Sequence, residues 1–223
     1  MYNILYNMIK RVASFLIGLF IMSLGVGFSI VSTLGTTPVT SVAYSLALIT
    51  NIDIGITTFL FNFALLLLQV VILRSRFEKK RWLQLINCVV FGYFMNVAVF
   101  IVSFVPFDGS ILMKVIFLLL SAFCIAFGIF IYVPAHIAPL PSEGCVQSIA
   151  MVTDWRFSTI KIGFDASMLT ISLILCGLFY SNMFAAVNIG TFVIAFLIGF
   201  TLRQISNVYT HFTGKKPNLV IKP

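Results

Sequence analysis

Six apolar runs decide what this chain can fold into. They cover Val12 to Val31, Ile56 to Leu73, Leu83 to Val105, Ile111 to Val133, Thr159 to Tyr180 and Ala186 to Gln204. A helix rises 1.5 Å per residue, so a run of about twenty residues crosses the roughly 30 Å hydrocarbon core of a bilayer. Charged residues are 9% of the sequence. Soluble domains carry about a quarter, and a chain with so few cannot cover a water-facing surface. The expectation is a single polytopic membrane domain over residues 1–223. The N-terminus begins like a signal peptide, but its apolar run is long for an h-region and no small-x-small site follows. It is expected to be an uncleaved first span.

Two stretches break this pattern. Ser32 to Pro38 (STLGTTP) and Pro134 to Gly144 (PAHIAPLPSEG) carry the Gly, Pro and hydroxyl residues of turns and extended segments. Each is followed by a short helical stretch, Val39 to Thr50 and Glu143 to Thr153. At roughly 18 Å, a helix of about twelve residues is too short to span.

The two breaks belong to an internal repeat. With a shift of 103 residues, Gly25 to Asn62 aligns without a gap on Gly128 to Asp165. Gly25 meets Gly128, Pro38 meets Pro141, Ser45 meets Ser148, Ala47 meets Ala150, Thr50 meets Thr153 and Phe61 meets Phe164. Asn62 meets Asp165, a polar residue early in an apolar run in both copies. The repeats are expected to cover about 12–105 and 111–206.

Charge sets the orientation. Lys10 and Arg11 precede the first run, and Arg74 to Arg81 (RSRFEKKR) follows the second. The positive-inside rule puts both on the cytoplasmic side, so an even number of crossings separates them. That holds if the stretch 39–50 does not cross. The result is six crossings with both termini inside and every Lys and Arg but Lys114 cytoplasmic. Each repeat then has three crossings, and the copies are inverted. The expected fold is an all-α membrane protein: six transmembrane helices, two short re-entrant or interfacial helices and two inverted repeats. If both short helices span instead, eight crossings and two parallel halves result.

Irregular backbone at membrane depth must be buried in protein or line a wet cavity. Inverted repeats with broken segments form midplane sites in many transporters. Gly35, Thr36, Thr37, Pro38 and Ser41 in the first copy, with Pro141, Ser142 and Glu143 in the second, are therefore candidate solute-binding residues. Their helix N-termini offer free N–H groups and positive dipole ends suited to an anion or carboxylate. Prolines that simply start two surface-lying helices would look the same. Asp165 is the clearest intramembrane charge, four residues after Lys161 and on the same helix face. Asp165, Lys161 and Glu143 are candidates for proton or ion coupling; Asp165 and its neutral counterpart Asn62 are also candidate solute-binding residues. A structural Lys161–Asp165 pair and a helix-stabilising Glu143 are the plainer roles. His136 lies in the second break as a loop residue with the chemistry of a proton-sensitive group. Asn96 and Arg203 match when Gly92 is set on Gly199, and Arg203 reads as an interfacial anchor.

Several function classes are disfavoured. The net charge of +8 sits at the ends of apolar runs, not on a nucleic-acid-binding stripe. Cys88, Cys124, Cys145 and Cys176 form no CxxC pair and read as small apolar residues. HExxH, GxSxG and P-loop signatures are absent, so neither an enzyme nor a bound metal or cofactor is expected.

The runs GVGFSIVSTLGTTPVTSVAYSLALI, IGITTFLFNFALLLLQ and LINCVVFGYFMN, with SEG and the Lys161–Asp165 helix, resemble the YczE/YyaS/YitT group of bacterial membrane proteins. The resemblance covers nearly the whole chain. It implies a bacterial inner-membrane protein of this size and span count, and supplies no substrate. That group often has an acidic residue where this chain has Asn96. The expected function is a secondary transporter or channel-like protein for a small solute held between the repeats, an anion being the charge that the helix N-termini suit. The alternative is a non-transporting membrane partner or regulatory scaffold that acts through the basic loop. Beyond lipid and solute, no partner is marked; a homodimer is left open, with no interface in the sequence.

Overall fold

The computed structural model describes residues 2–135, 137–153, 155 and 157–214. His136, Asp154, Arg156, Lys215, Lys216 and Lys222 lie outside the described residues. Among the described residues the elements are α-helices joined by short links and three 3-10 segments of three to five residues. In chain order they are α1 (Tyr2–Ser32), α2 (Pro38–Thr50), α3 (Ile54–Leu73), α4 (Gln84–Ser103), α5 (Ile111–Tyr132), α6 (Pro141–Thr153), α7 (Phe157–Phe179) and α8 (Ile189–Thr213). Six are long and apolar enough to cross a membrane; α2 and α6 have 13 residues each. The fold is that of a multi-pass all-α membrane protein.

Most boundaries match the sequence to within two residues; α8 starts three residues after the run at Ala186, and two boundaries differ more. α1 starts ten residues before the apolar run, and α8 continues nine residues beyond Gln204. In both places the polar residues past the run contain no helix breaker. α8 stops only at Gly214, which takes the left-handed conformation at φ 66°. α2 ends the same way, at Asn51 with φ 55°. Its start is set by Pro38 in the first turn and by Thr37, whose hydroxyl accepts from the Thr40 N–H at 3.4 Å.

The packing is reciprocal. α1 lies against α4 and α5 against α8; α2 lies against α7 and α3 against α6; α2 touches α3 and α6 touches α7. Exchanging residues 12–105 with 111–206 turns each of these pairs into its partner. At the centre, α1 crosses α5 closely. A Cβ at Gly25 would lie 2.8 Å from the Ser121 carbonyl oxygen, and one at Gly128 would lie 2.6 Å from that of Gly18. Ser121 stands 103 residues after Gly18, so the two contacts exchange as well. The helices run antiparallel: as α1 goes from Gly18 to Gly25, its neighbour on α5 goes back from Tyr132 to Ser121. Small residues at such a crossing let backbones approach, which drives helix association where lipid removes the hydrophobic gain.

α3 and α4 break the pattern, because they pack together more closely than α7 and α8 do. Gly55 and Gly92 face each other there, each backbone filling the space a Cβ would need. Ser158 and Ala195 stand 103 residues later. Outward faces of the long helices expose large apolar side chains such as Ile111, Ile162 and Phe196, as a lipid-facing surface requires.

Candidate functional site

α2 and α6 begin at one cavity of about 290 Å³, to which all eight helices contribute. Thr37, Pro38, Val39 and Thr40 line it from the start of α2, and Leu140, Ser142 and Glu143 from the start of α6. α3 adds Thr58 and Asn62, and α7 adds Lys161 and Asp165. Met22, Val26, Phe91, Ile125 and Ile129 supply apolar wall.

These residues pair through the 103-residue shift. Met22 and Ile125 are equivalent, as are Val26 and Ile129, Val39 and Ser142, Thr40 and Glu143, Thr58 and Lys161, and Asn62 and Asp165. Equivalent positions of both halves thus border the same space, although their chemistry differs. The first half offers hydroxyls and an amide; the second offers two carboxylates and an ammonium.

The charged groups are arranged by helix spacing. Lys161 and Asp165, one turn apart on α7, form an ion pair at 2.6 Å with side chains 35% and 27% exposed. Glu143 is the third residue of α6, in the turn where the positive helix end favours a carboxylate. Its Oε2 accepts from the buried Tyr132 hydroxyl at 2.5 Å. Among the described residues Glu143 has no salt-bridge partner. Asn62 is buried, and its Nδ2 donates to the Thr58 carbonyl at 2.9 Å. Thr58 is 3% exposed, and its hydroxyl has no hydrogen-bond partner.

Thr37, Pro38, Asn62, Ser142, Glu143, Lys161 and Asp165 therefore line one cavity. Four candidates stand behind the wall instead. Gly35, at φ 118°, packs against Thr191 at the start of α8. Thr36 is buried, with its hydroxyl unpartnered. Ser41 turns its hydroxyl back to the Pro38 carbonyl at 2.7 Å. The Pro141 carbonyl accepts from Gln69 Nε2 at 3.1 Å.

Two polar clusters next to the short helices were not anticipated. Behind α6, Gln69 and Gln84 bond each other, and Arg81 donates to Gln69 Oε1 at 3.3 Å and to the Ser148 hydroxyl at 3.2 Å. Asn87 donates to the carbonyls of Ala138 and Pro139 at 3.0 and 3.3 Å. Side-chain amides thus satisfy the broken backbone of the second break, as apolar depth demands. Behind α2, the hydroxyls of Ser45 and Ser172 meet at 2.6 Å, and Ser172 also donates to the Ser41 carbonyl at 3.1 Å. Ser148 stands 103 residues after Ser45, and Ser172 the same distance after Gln69. Reading the repeat at every charged or amide residue would have flagged Thr40, Thr58 and Ser172. Tyr132 and the inward reach of Arg81 left no signal in the sequence.

Asn96 has a structural part: its Oδ1 accepts the Gly55 N–H, in the first turn of α3, at 2.7 Å. A carboxylate there would serve equally as acceptor. Arg203 is exposed.

The comparisons with known proteins extend along most of the chain. The model described as "Family of unknown function (DUF6198)" matches residues 9–207. An uncharacterized protein of Haemophilus influenzae is 28% identical over 199 residues, covering 89% of this chain and 84% of the relative. No solved structure matches. With nearly the whole helical domain inside the family match, the chain belongs to the family of unknown function DUF6198.

Proposed function

We propose that this protein is a secondary transporter, or a channel-like protein, for a small solute that binds in the cavity between the starts of α2 and α6. One observation carries the reading: both broken segments and the equivalent positions of both halves border a single, mainly apolar space into which a few polar and charged residues are set. Dry packing of the breaks against Leu and Phe would have favoured a scaffold. The reciprocal, antiparallel α1–α5 crossing supports two inverted repeats related by an axis in the membrane plane, the arrangement in which a central site is reached from either side in turn. In this reading the termini are cytoplasmic in a bacterial inner membrane, by charge and by the likeness to the YczE/YyaS/YitT group. Glu143 is the better coupling group, since among the described residues it has no direct salt bridge whereas Asp165 is paired with Lys161.

Cysteine accessibility tests this. Thr37→Cys and Ser142→Cys are placed singly in a background without native cysteines, and impermeant thiol reagents are applied from each side. Labelling of Thr37→Cys from outside and Ser142→Cys from inside is expected. Labelling of both from one side refutes the inverted arrangement. Labelling of neither shows a dry interior and refutes the solute site.

A further inference from the structure

The cavity has an open side. The helices form two layers. α4, α1, α5 and α8 pack in that order in one, and α3 and α7 flank α2 and α6 in the other. The cavity lies between the layers and takes wall from both. At one edge α3 closes on α4 through Gly55 and Gly92. Thr58, Asn62 and Phe91, which line the cavity on that side, are buried. At the other edge α7 and α8 hardly touch. The cavity residues there are open: Ala195 and Gly199 of α8 are exposed, and the Lys161 and Asp165 side chains of α7 are partly exposed. A Cβ at Gly199 would have no atom within 4 Å. The mouth of the cavity is therefore the gap between α7 and α8.

That gap faces lipid. Asp165 stands about 12 Å along α7 and Gly199 about 15 Å along α8, at 1.5 Å per residue, within a hydrocarbon core of roughly 30 Å. The exposed faces of the same two helices carry Ile162, Phe192 and Phe196, the large apolar side chains of a lipid boundary. A solute that enters here comes from the bilayer. Inside, it meets a mainly apolar wall with Lys161, Asp165 and Glu143 set into it. An apolar body with one polar end suits both kinds of surface.

The route also selects the charge of that end. A charged group is costly at bilayer depth. Nor does the wall call for one: Lys161 is paired with Asp165 at 2.6 Å, its charge also reaches Glu143, and Glu143 accepts from the Tyr132 hydroxyl. An ammonium has three donors and a carboxylate several acceptor positions, more than these bonds use, so a neutral hydrogen-bonding group finds partners. We infer that the solute is a small uncharged amphiphile, with a hydroxyl or amide at one end of an apolar body, that passes from the bilayer into the cavity between α7 and α8. The inference deepens the transporter or channel reading and rests on it. A cavity of about 290 Å³ is at the low end of small-molecule sites, so it suits one short chain and not a two-chain lipid.

The test uses the full-length protein in lipid nanodiscs and decanol carrying a mid-chain diazirine. After photolysis, labelled residues are mapped by proteolysis and mass spectrometry. Labelling of the cavity wall at Met22, Val26, Ile125 or Ile129 is expected, besides labelling of outward residues such as Phe196. Excess plain decanol should remove the cavity label and spare the outward one, and decanoic acid and decylamine should compete less. Gly199→Phe, which fills the mouth, should lower cavity labelling about fivefold or more, as should Ala195→Phe one turn earlier. Gly163→Phe, also with free space at its Cβ but outside the cavity, should not. Undiminished cavity labelling in folded Gly199→Phe and Ala195→Phe overturns the lateral route. Equal competition by the acid or the amine overturns the uncharged end. A disulfide between two copies of Ala195→Cys in proteoliposomes, with no cavity labelling, gives the gap to a second copy and overturns the proposal. Cavity labelling by a water-soluble diazirine butanol alone overturns the amphiphile and leaves the solute site intact. No cavity labelling by either probe, with Thr37→Cys and Ser142→Cys labelling as expected, does the same. If neither cysteine labels, the underlying site fails instead, so the two failures are distinguishable.

Discussion

Gln69 and Gln84 exchange two hydrogen bonds in the interior, Nε2 of Gln69 to Oε1 of Gln84 at 2.8 Å and the reverse at 3.3 Å. Both are essentially fully buried, and Gly144 of α6 lies so close that a Cβ there would be 2.8 Å from either amide. The pair joins α3 to α4 and, through the Pro141 carbonyl, to the start of α6. Removing one amide strands the other. Gln69→Leu is therefore expected to cost about 2–4 kcal/mol, since each buried group left unpaired costs about 1–3 kcal/mol. Gln69→Leu with Gln84→Leu should cost less than the sum of the two singles. Thermal unfolding of the four proteins in one lipid checks this; strict additivity would refute the reciprocal bond.

That pair also marks where sequence reading stops. Hydropathy located the six long helices and the two short ones because run length and helix rise are local quantities. The repeat brought Thr37, Ser142, Asn62 and Asp165 into one hypothesis, since two copies of one unit place equivalent positions in equivalent surroundings. Gln69, Gln84 and Asn87 were passed over because an uncharged amide in an apolar run has no local signature. Its role depends on a carbonyl some fifty to seventy residues away, such as those of Ala138, Pro139 and Pro141. Arg81 was read as one of several cytoplasmic charges because nothing in the sequence shows which of them turns inward.

The α1–α5 crossing leads to a sharp steric expectation. A Cβ at Gly128 would sit 2.6 Å from the Gly18 carbonyl oxygen and 2.7 Å from the Met22 nitrogen. Both are backbone atoms that cannot swing aside. Gly128→Val should cost about 3 kcal/mol or more, at or beyond the usual limit for overpacking, and should abolish a monodisperse peak on size exclusion. Gly163 on α7 has no atom within 4 Å of its built Cβ. Gly163→Ala should leave unfolding unchanged or raise stability by up to about 1 kcal/mol. Equal tolerance at both positions would contradict the close crossing.

Asn96 separates a capping role from a charge role. It accepts the Gly55 N–H at 2.7 Å in the first turn of α3. Asn96→Asp keeps the acceptor, adds a charge favourable at a helix start, and should fold with stability within about 0.5 kcal/mol of the parent. Asn96→Leu removes the acceptor beside a close glycine contact and should cost about 1–2 kcal/mol. If both variants melt alike, the bond to Gly55 is without weight.

Lys161 and Asp165 are too exposed to act mainly as a structural tie. With side chains 35% and 27% open and an i,i+4 spacing, the pair is worth under about 1 kcal/mol after solvent screening. Lys161→Met and Asp165→Asn should each change unfolding by no more than that. Each nevertheless alters the charge balance of the cavity and should reduce solute flux in proteoliposomes by about tenfold or more. A large loss of stability with flux intact would make the pair structural and remove it from the site.

The two hydrogen-bonded clusters behind the short helices occupy equivalent positions and should act as opposite closures. Ser172 ties α7 to α2 through Ser45 and the Ser41 carbonyl. Arg81 ties the start of α4 and Gln69 of α3 to Ser148 on α6. If the cavity opens to each side in turn, loosening α2 favours one opening and loosening α6 the other. Ser172→Val removes two bonds from α2, and Arg81→Met removes two from α6, those to the Ser148 hydroxyl and to the Met151 sulfur at 3.3 Å. At about 1 kcal/mol per bond, each change should shift the balance of states by about five- to thirty-fold. Labelling of Thr37→Cys from outside should therefore rise in Ser172→Val, and labelling of Ser142→Cys from inside should rise in Arg81→Met. Because a ligand or mutation shifts a two-state balance only by what it contributes differently to the two states, the double variant should return towards the parent. A shift of both single variants towards the same side would show that the clusters brace one static fold and do not govern access.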